Sequence, residues 1–421
     1  MNNSHTRIVI TGLGAISALG LTVDELWTGL VAGRSGIGRI TQFDPSSLPC
    51  QIAGEVKNFD PKQYMEAKEA RRMARCSQFV IAATQAAMKD AGFDSIFTEP
   101  ERAGVVLGTG IGGVEKIGEA LEVHRQRGWT KLNPFLLPAM LGNLPGHYIS
   151  KVYQALGPLN TVVTACAAGT QAIGEAAELI RRGLADVVIT GGVEAAIQDY
   201  LVACFCAMRA LPLNYNDRPE LASRPFDLQR EGFIFAEGCG ILILESLEHA
   251  QRRGARIHAE VLGHAASSDA YDIAQPEPSG NGAARAIRWA LQDAGITPDQ
   301  VSYINAHGTS TAANDSGETH AIKQVFGEHA YSTPISSTKS MIGHGLGAAG
   351  ALEAIVCVQT LRHNLIHPTI NYTTPDPECD LDYVPNLPRS TPVNVTLSNS
   401  FGLGGQNACL VLGKFDANKA G

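Results

Sequence analysis

An α/β fold built of two topologically similar halves is what this 421-residue sequence predicts. Short β-branched runs alternate with helical stretches from end to end, the order that lays mostly parallel strands beneath covering helices. A unit of strand, sharp turn bearing a reactive residue and then helix occurs over 162–182 and again over 335–361. The 44 glycines supply the positive-φ positions that so many tight turns require.

In chain order, the apolar β-branched runs predict strands over 7–10, 104–107, 162–164, 186–190, 239–245, 303–305, 335–337, 395–397 and 408–412. Between them, helical spacing of apolar residues predicts helices over 23–32, 171–182, 282–294, 318–326 and 348–361. In the second of these Ile173, Ala176, Ala177 and Ile180 share one face, and Gly183 ends the helix. The halves meet near residue 255, giving an N-terminal unit over 1–255 and a C-terminal unit over 256–421. No low-complexity tract or long Pro/Ser linker separates them, which points to one compact body.

Composition narrows the class of function. With 44% hydrophobic and 18% charged residues the chain is neither disordered nor collagen-like. Forty-one acidic against 33 basic residues leave a net charge of −8, which excludes a generic nucleic-acid surface unless bases gather locally. Nine cysteines, an odd set without CxxC spacing, fit a reducing cytosol with mostly buried thiols. The first apolar run, 8–19, is too short to span a bilayer and too glycine-rich for a signal-peptide core. A soluble, cytoplasmic protein without membrane contact is expected.

The stretch 161–169, TVVTACAAG, places Cys166 just past an apolar strand and at the start of an amphipathic helix. Unpaired N–H groups there lower a thiol's pKa and can bind an oxyanion. For a lone cysteine the usual role is to fill space, and that is the reading of the other eight. Small residues flank only Cys166 at a helix start, leaving a substrate room to approach. In the opposite half, 305–311 (NAHGTST) ends a strand with His307 and a hydroxyl-rich loop. The stretch 337–350 (STKSMIGHGLGAAG) carries Lys339 and His344 before a Gly/Ala helix start. Any single histidine is more often a hydrogen-bonded core or surface imidazole. Two at strand-to-helix turns facing a helix-terminal cysteine make a more specific constellation, because Cys/His chemistry needs its groups brought together by folding. Zinc-ligand spacing is lacking, so no metal is expected. The run 108–113 matches GxGxxG after a strand, but no acidic strand end follows about 20 residues on, and it is taken as a decoy. The run 398–407 has no Lys-Ser/Thr ending, so backbone lying close to a thioester carbonyl explains its glycines better than a nucleotide does.

Together these segments resemble the β-ketoacyl-acyl carrier protein synthases of the thiolase superfamily, synthase I/II branch, and are most like synthase II. The resemblance covers essentially the whole chain: the opening IVITGLG at 8–14, the nucleophile segment TAC at 164–166, SRPFD at 223–227 with REGF at 230–233, Glu237-Gly238, and the blocks 305–311, 339–350 and 401–407. It implies a five-layer α/β/α/β/α fold, a homodimer, and no cofactor beyond the phosphopantetheine that arrives on acyl carrier protein. It implies further that Cys166 takes the acyl chain as a thioester, while His307 and His344 hold a malonyl thioester and promote loss of carbon dioxide. The oxyanion of the condensation would rest on the backbone N–H groups of Cys166 and Leu403. Lys339 and Glu353 would fix the histidine geometry, and Thr309 and Thr311 would hydrogen-bond the phosphopantetheine arm.

Phe401 opens the glycine loop, in which Leu403 stands where the family's gating phenylalanine would be; Gly345 follows His344 where leucine is commoner, and Gln406 takes the place of a threonine. Ile111 and Phe205 match positions lining the acyl tunnel, with Ile111 at its far end. Lys68, Arg71 and Arg72, at i, i+3 and i+4 on a predicted helix, make one basic face. An ordinary solvated face is the bland reading; the resemblance implies docking of an acidic carrier protein there, with Lys131 and Arg209 as additions. Three alternatives stand beside fatty acyl elongation. One is a free-standing ketosynthase of a polyketide or specialised-lipid pathway. Another is a chain-length-factor-like partner, which Cys166 opposes. The third is an acyl-CoA-using, thiolase-type enzyme.

Overall fold

The computed structural model describes residues 6–93 and 96–417. Ten strands of these form one continuous sheet: β1 (Ile8–Ile16), β2 (Ala103–Gly108), β3 (Leu159–Val162), β4 (Val187–Glu194), β5 (Gly238–Ser246), β6 (Ala259–Ser268), β7 (Tyr303–Asn305), β8 (Ile335–Ser336), β9 (Val395–Gly402) and β10 (Gln406–Gly413). At its middle β1 pairs antiparallel with β6, Ile8 opposite Val261. Outward from that seam the order is β1-β5-β4-β2-β3 on one side and β6-β10-β9-β7-β8 on the other. Each half therefore arranges its first, fifth, fourth, second and third strands in the same sequence.

The pairing corrects the expectation of mostly parallel strands. Only β2 with β4 and β3, and β7 with β9 and β8, run parallel. The pairs nearer the seam, β1 with β5, β4 with β5, β9 with β10 and β10 with β6, are antiparallel. Alternation of strand and helix marks the crossovers in a sequence, but it does not show where the chain turns back beside itself.

Five helices set the layers: α1 (Arg75–Asp90), α2 (Ala168–Arg181), α3 (Asn281–Asp293), α4 (Ala312–Phe326) and α5 (Ala349–His363). The central pair, α2 and α5, touches strands of both halves. From Ala349 to Leu361 every residue of α5 is buried, as a helix apolar on nearly all sides must be. Outside, α1 covers β1 and β5, while α3 covers β6 and β10 with α4 beside it. The result is the thiolase-like α/β/α/β/α stack. The central helices meet at their N-termini, where no side chain fits between them. A Cβ on Gly169 would lie 2.7 Å from the Gly347 carbonyl oxygen, and one on Gly350 would lie 2.0 Å from Thr170 Oγ1.

Several local expectations change. The strand before Cys166 occupies 159–162 rather than 162–164, and Thr164 beyond it has left strand geometry at φ −128° and ψ 43°. The helix expected over 318–326 begins at Ala312, because Thr311 caps it by accepting from the Asn314 N–H. Lys68, Arg71 and Arg72 do not share a helical face. The helix there is the single turn Ala67–Ala70, Arg71 closes it, and the long helix α1 starts only at Arg75. Spacing alone cannot distinguish one turn from several.

Replacing Gly350 by alanine drives a methyl group into Thr170, whose hydroxyl pairs with Ser400 at 2.8 Å. The expected cost is about 1–3 kcal/mol, the usual range for overpacking. It would be read as a lower denaturant midpoint with an unchanged slope.

Candidate active site

Cys166 lies in the 3₁₀ turn Ala165–Ala167, which runs directly into α2. Ala165 takes φ 49°, a left-handed conformation that costs a non-glycine residue about 1 kcal/mol or more and that turns the chain sharply ahead of the cysteine. The other segment at the sulfur is the β9–β10 hairpin: the backbone N–H groups of Leu403 and of Cys166 itself lie near enough to the thiol to favour its ionised form. Gly402 must be glycine there, since its Cβ would sit 2.7 Å from the Thr164 carbonyl oxygen. The helix start was expected to lower the thiol's pKa. Instead, complete burial pushes Cys166 up to about 11, with Lys339 and the Leu403 N–H pulling the other way. Desolvation of a thiolate in an apolar cavity outweighs a few N–H dipoles.

His307 follows β7, and its loop is held from below by a buried carboxylate. Glu318 on α4 accepts the His307 N–H at 2.9 Å and the Gly308 N–H at 2.8 Å. His344 is clamped by the other half of the chain: its N–H donates to the Ile234 carbonyl at 2.7 Å, and its carbonyl accepts from the Ala236 N–H at 3.0 Å. The two imidazoles stand 5.3 Å apart and nearly perpendicular at 86°, with Phe401 against His307 and Phe233 against His344. Burial, reinforced by the positive charge of Lys339, holds both well below the ordinary histidine pKa, so both rings are neutral. Lys339 is itself buried in an ion pair with Glu353, and burial lifts that carboxyl to about 7 against the pull of the lysine.

A cavity of about 490 Å³ opens over these groups, and Cys166, His307, His344, Thr309, Thr311, Phe401, Leu403 and Arg209 all line it. The Thr309 and Thr311 hydroxyls lie 2.9 Å apart on its wall. Ile111 and Phe205 do not line this cavity. They belong, with Cys166, to one apolar cluster, in which Phe205 packs edge-on against Phe233 and Phe235 at 5.2 Å each. On the surface Lys68, Arg71, Lys131 and Arg209 are exposed, whereas Arg72 is half-buried and lies 4.1 Å over the Phe135 ring.

Two buried carboxylates carry little mark in the local sequence: Glu318, within a predicted helix, and Glu194, at the end of β4. Glu194 is fully buried and receives five donors: the N–H groups of Gly110, Ile111, Gly112 and Gly347, and the Thr109 hydroxyl. This also explains the false nucleotide loop, because the N–H groups of Gly110, Ile111 and Gly112 point at a carboxylate of the same chain. Burial lifts both Glu194 and Glu318 to about 7. An acid at a strand end following Gly-Gly was the available signal for Glu194. Among the described residues no cluster of metal-ligating side chains occurs, and no helix is long and apolar enough to cross a membrane.

Residues 5–250 match the model of the β-ketoacyl synthase N-terminal domain, and residues 258–373 match that of the C-terminal domain. The chain is 49% identical to 3-oxoacyl-[acyl-carrier-protein] synthase 2 of Synechocystis sp., over 98% of this chain and 99% of that one. Its identity to the protein of the same name from Staphylococcus aureus is 46%, over 99% and 100%. Among solved structures, a type II PKS acyl-carrier protein in complex with its ketosynthase bound to the hexaketide matches with a TM-score of 0.90 at 36% identity, covering 98% of this chain and 100% of that one. With a buried cysteine at a helix start facing two neutral imidazoles across one cavity, and with relatives this similar over their full length, the chain belongs to the β-ketoacyl synthase family.

Proposed function

We propose that the protein elongates fatty acyl chains by two carbons through decarboxylative Claisen condensation, as a 3-oxoacyl-acyl carrier protein synthase of type II. The observation that carries this reading is the meeting of Cys166 with the neutral His307 and His344 over one cavity. In the first step the Cys166 sulfur attacks the acyl thioester, its proton leaves with the departing phosphopantetheine thiol, and an acyl-Cys166 thioester forms. In the second, the carbonyl oxygen of a malonyl thioester sits between the two imidazoles. Neutral rings donate N–H bonds without adding charge, so their stabilisation grows as negative charge develops on that oxygen. The bond to the carboxylate breaks, carbon dioxide leaves, and the electron pair forms an enolate. The enolate carbon attacks the acyl-Cys166 carbonyl, whose oxyanion is held by the N–H groups of Cys166 and Leu403. Collapse expels the Cys166 thiolate and leaves the 3-oxoacyl chain on the carrier.

The partners follow from the same reading. An acidic acyl carrier protein docks on Lys68, Arg71, Lys131 and Arg209, threading its phosphopantetheine past Thr309 and Thr311. Arg72 contributes less, because its guanidinium is engaged with Phe135. The protein works in the cytoplasm, needs no metal or organic cofactor of its own, and divides near residue 255. It acts as a homodimer. The sheet edge at β3 supports this: Leu159 on the strand and Leu156 and Val163 flanking it are all exposed, an apolar edge of the kind a second copy covers. A second reading, a ketosynthase of a polyketide or specialised-lipid pathway, is favoured by Leu403 at the cavity mouth in place of a phenyl gate.

Cys166→Ala should abolish condensation, and mass spectrometry after incubation with acyl-loaded carrier protein should place the adduct on Cys166 in the parent. An adduct on Cys204 or Cys206 instead would remove Cys166 from its role. The same Cys166→Ala protein should still release carbon dioxide from malonyl carrier protein. His307→Ala or His344→Ala should cut that release by on the order of 10²-fold.

Charge reversal of Lys68 and Arg71 should raise the KM for carrier-protein substrates at low salt and spare small thioester mimics. Equal losses with both substrates would mean that the turn serves folding. Comparing acyl carrier protein with acyl-CoA as donor separates this reading from a thiolase-type one.

Ile111→Phe should reduce activity on long acyl donors while leaving short ones largely unaffected, because a ring added to the apolar cluster excludes only the distal carbons. Uniform loss at all lengths, with lower thermal stability, would show that Ile111 is structural.

A further inference from the structure

The carboxylate of Glu194 joins two segments that do different work. Oε2 accepts the Gly110 N–H at 2.7 Å and the Gly347 N–H at 3.1 Å. Oε1 accepts the Thr109 hydroxyl at 3.1 Å, the Ile111 N–H at 3.2 Å and the Gly112 N–H at 3.3 Å. The first segment, 109–112, carries Ile111, whose side chain packs in the apolar cluster beside the Cys166 sulfur. The second is the turn after His344, in which Gly347 follows Leu346, itself buried in the same cluster and held at φ 45°. The two backbones are in direct contact, since a Cβ on Gly347 would lie 2.5 Å from the Gly110 nitrogen.

The partners of the Glu194 carboxylate among the described residues are four oriented N–H dipoles and one hydroxyl, which hold its side chain. A carboxylate that holds one loop through both oxygens and the other through Oε2 transmits displacement of either loop to the other in a close-packed interior.

We propose that Glu194 is a positioning residue that couples acyl-chain occupancy at Ile111 to the placement of His344. The proposal deepens the ketosynthase reading and rests on it. An acyl chain entering on Cys166 presses on Ile111 and Leu346. Through Glu194 that pressure reaches Gly347 and sets His344 for the malonyl thioester, so decarboxylation proceeds best once the cysteine is loaded. Glutamine at this position keeps the shape but turns one acceptor into an NH₂ group facing the N–H groups of the loops. Aspartate keeps the charge but is one methylene too short to span both segments.

The test uses the full-length protein with short and long acyl groups on acyl carrier protein. In Glu194→Gln and Glu194→Asp alike, transfer of acyl to Cys166 should stay within about threefold of the parent. Turnover in condensation should fall by on the order of 10²-fold, the scale of a 1 Å misplacement in an active site, and the KM for malonyl carrier protein should change little. Carbon dioxide release, stimulated in the parent by prior acylation of Cys166, should lose that stimulation in both variants. Equal loss of acylation and condensation, or full stimulation retained in either variant, would overturn the proposal. Amide exchange at Gly110 and Gly347 separates this from failure of the ketosynthase reading. Faster exchange in both variants is expected even if the parent condenses nothing, and unchanged exchange would show that Glu194 bridges nothing that moves.

Discussion

The head-on packing of α2 against α5 is the constraint on which the site depends. Cys166 lies in the turn that runs directly into α2, and His344 lies shortly before α5, with Lys339 in a short helix ahead of it. Gly169, Gly347 and Gly350 let the helix starts approach until backbone meets side chain, with no Cβ tolerated between them. Burial of α5 on nearly all sides makes that approach rigid. Cys166 of one half and the imidazoles of His307 and His344 of the other are thereby fixed over a common cavity without any bond between their side chains. The reciprocal clamp on His344, made by Ile234 and Ala236 of the N-terminal half, locks the arrangement from the opposite side.

Electrostatics then follow from exclusion of water. Lys339 is the positive charge at the centre, compensated by Glu353, and its field together with burial keeps both histidines neutral. The same burial raises Cys166, Glu194, Glu318 and Glu353. A site arranged this way holds little charge at rest, a condition under which oriented donors would stabilise developing charge more than a ground state. The carboxylates do not touch the reacting atoms. Glu318 holds the His307 loop, and Glu194 holds the loop of Ile111 against the turn after His344.

The residues of the site were legible to different degrees, and the difference is physical. Cys166, His307 and His344 stood out because each combines a reactive type with a strand-to-helix turn and small neighbours. Thr309, Thr311, Phe401 and Leu403 were legible through their loops, and the structure places all four on the cavity wall. Ile111 and Phe205 were named only through resemblance, since an isoleucine in a glycine run and a phenylalanine between cysteines read like any apolar residue. Glu194 and Glu318 passed unremarked because an acid in a sequence is usually solvated, and only the fold shows which acids are dry. The basic face at Lys68, Arg71 and Arg72 failed as a helix because i, i+3, i+4 spacing fits a single turn as well as several; the stacking of Arg72 on Phe135 depends on a contact 63 residues away.

By itself the sequence determined the strand and helix inventory in outline and the repeat of strand, turn and helix in both halves, and it marked Cys166, His307 and His344 as candidates for the chemistry. Those properties are local: β-branched runs, helical periodicity, and small residues at turns act over a few positions. It did not reveal long α1, whose alanine-rich face packs on β1 and β5, nor β6, which joins the halves. The tertiary structure alone decided which strands run antiparallel, the direction in which the Cys166 thiol shifts, and which carboxylates brace which loops. Each of these depends on neighbours distant in the chain and on the removal of water from between them, and neither is expressed in local residue order.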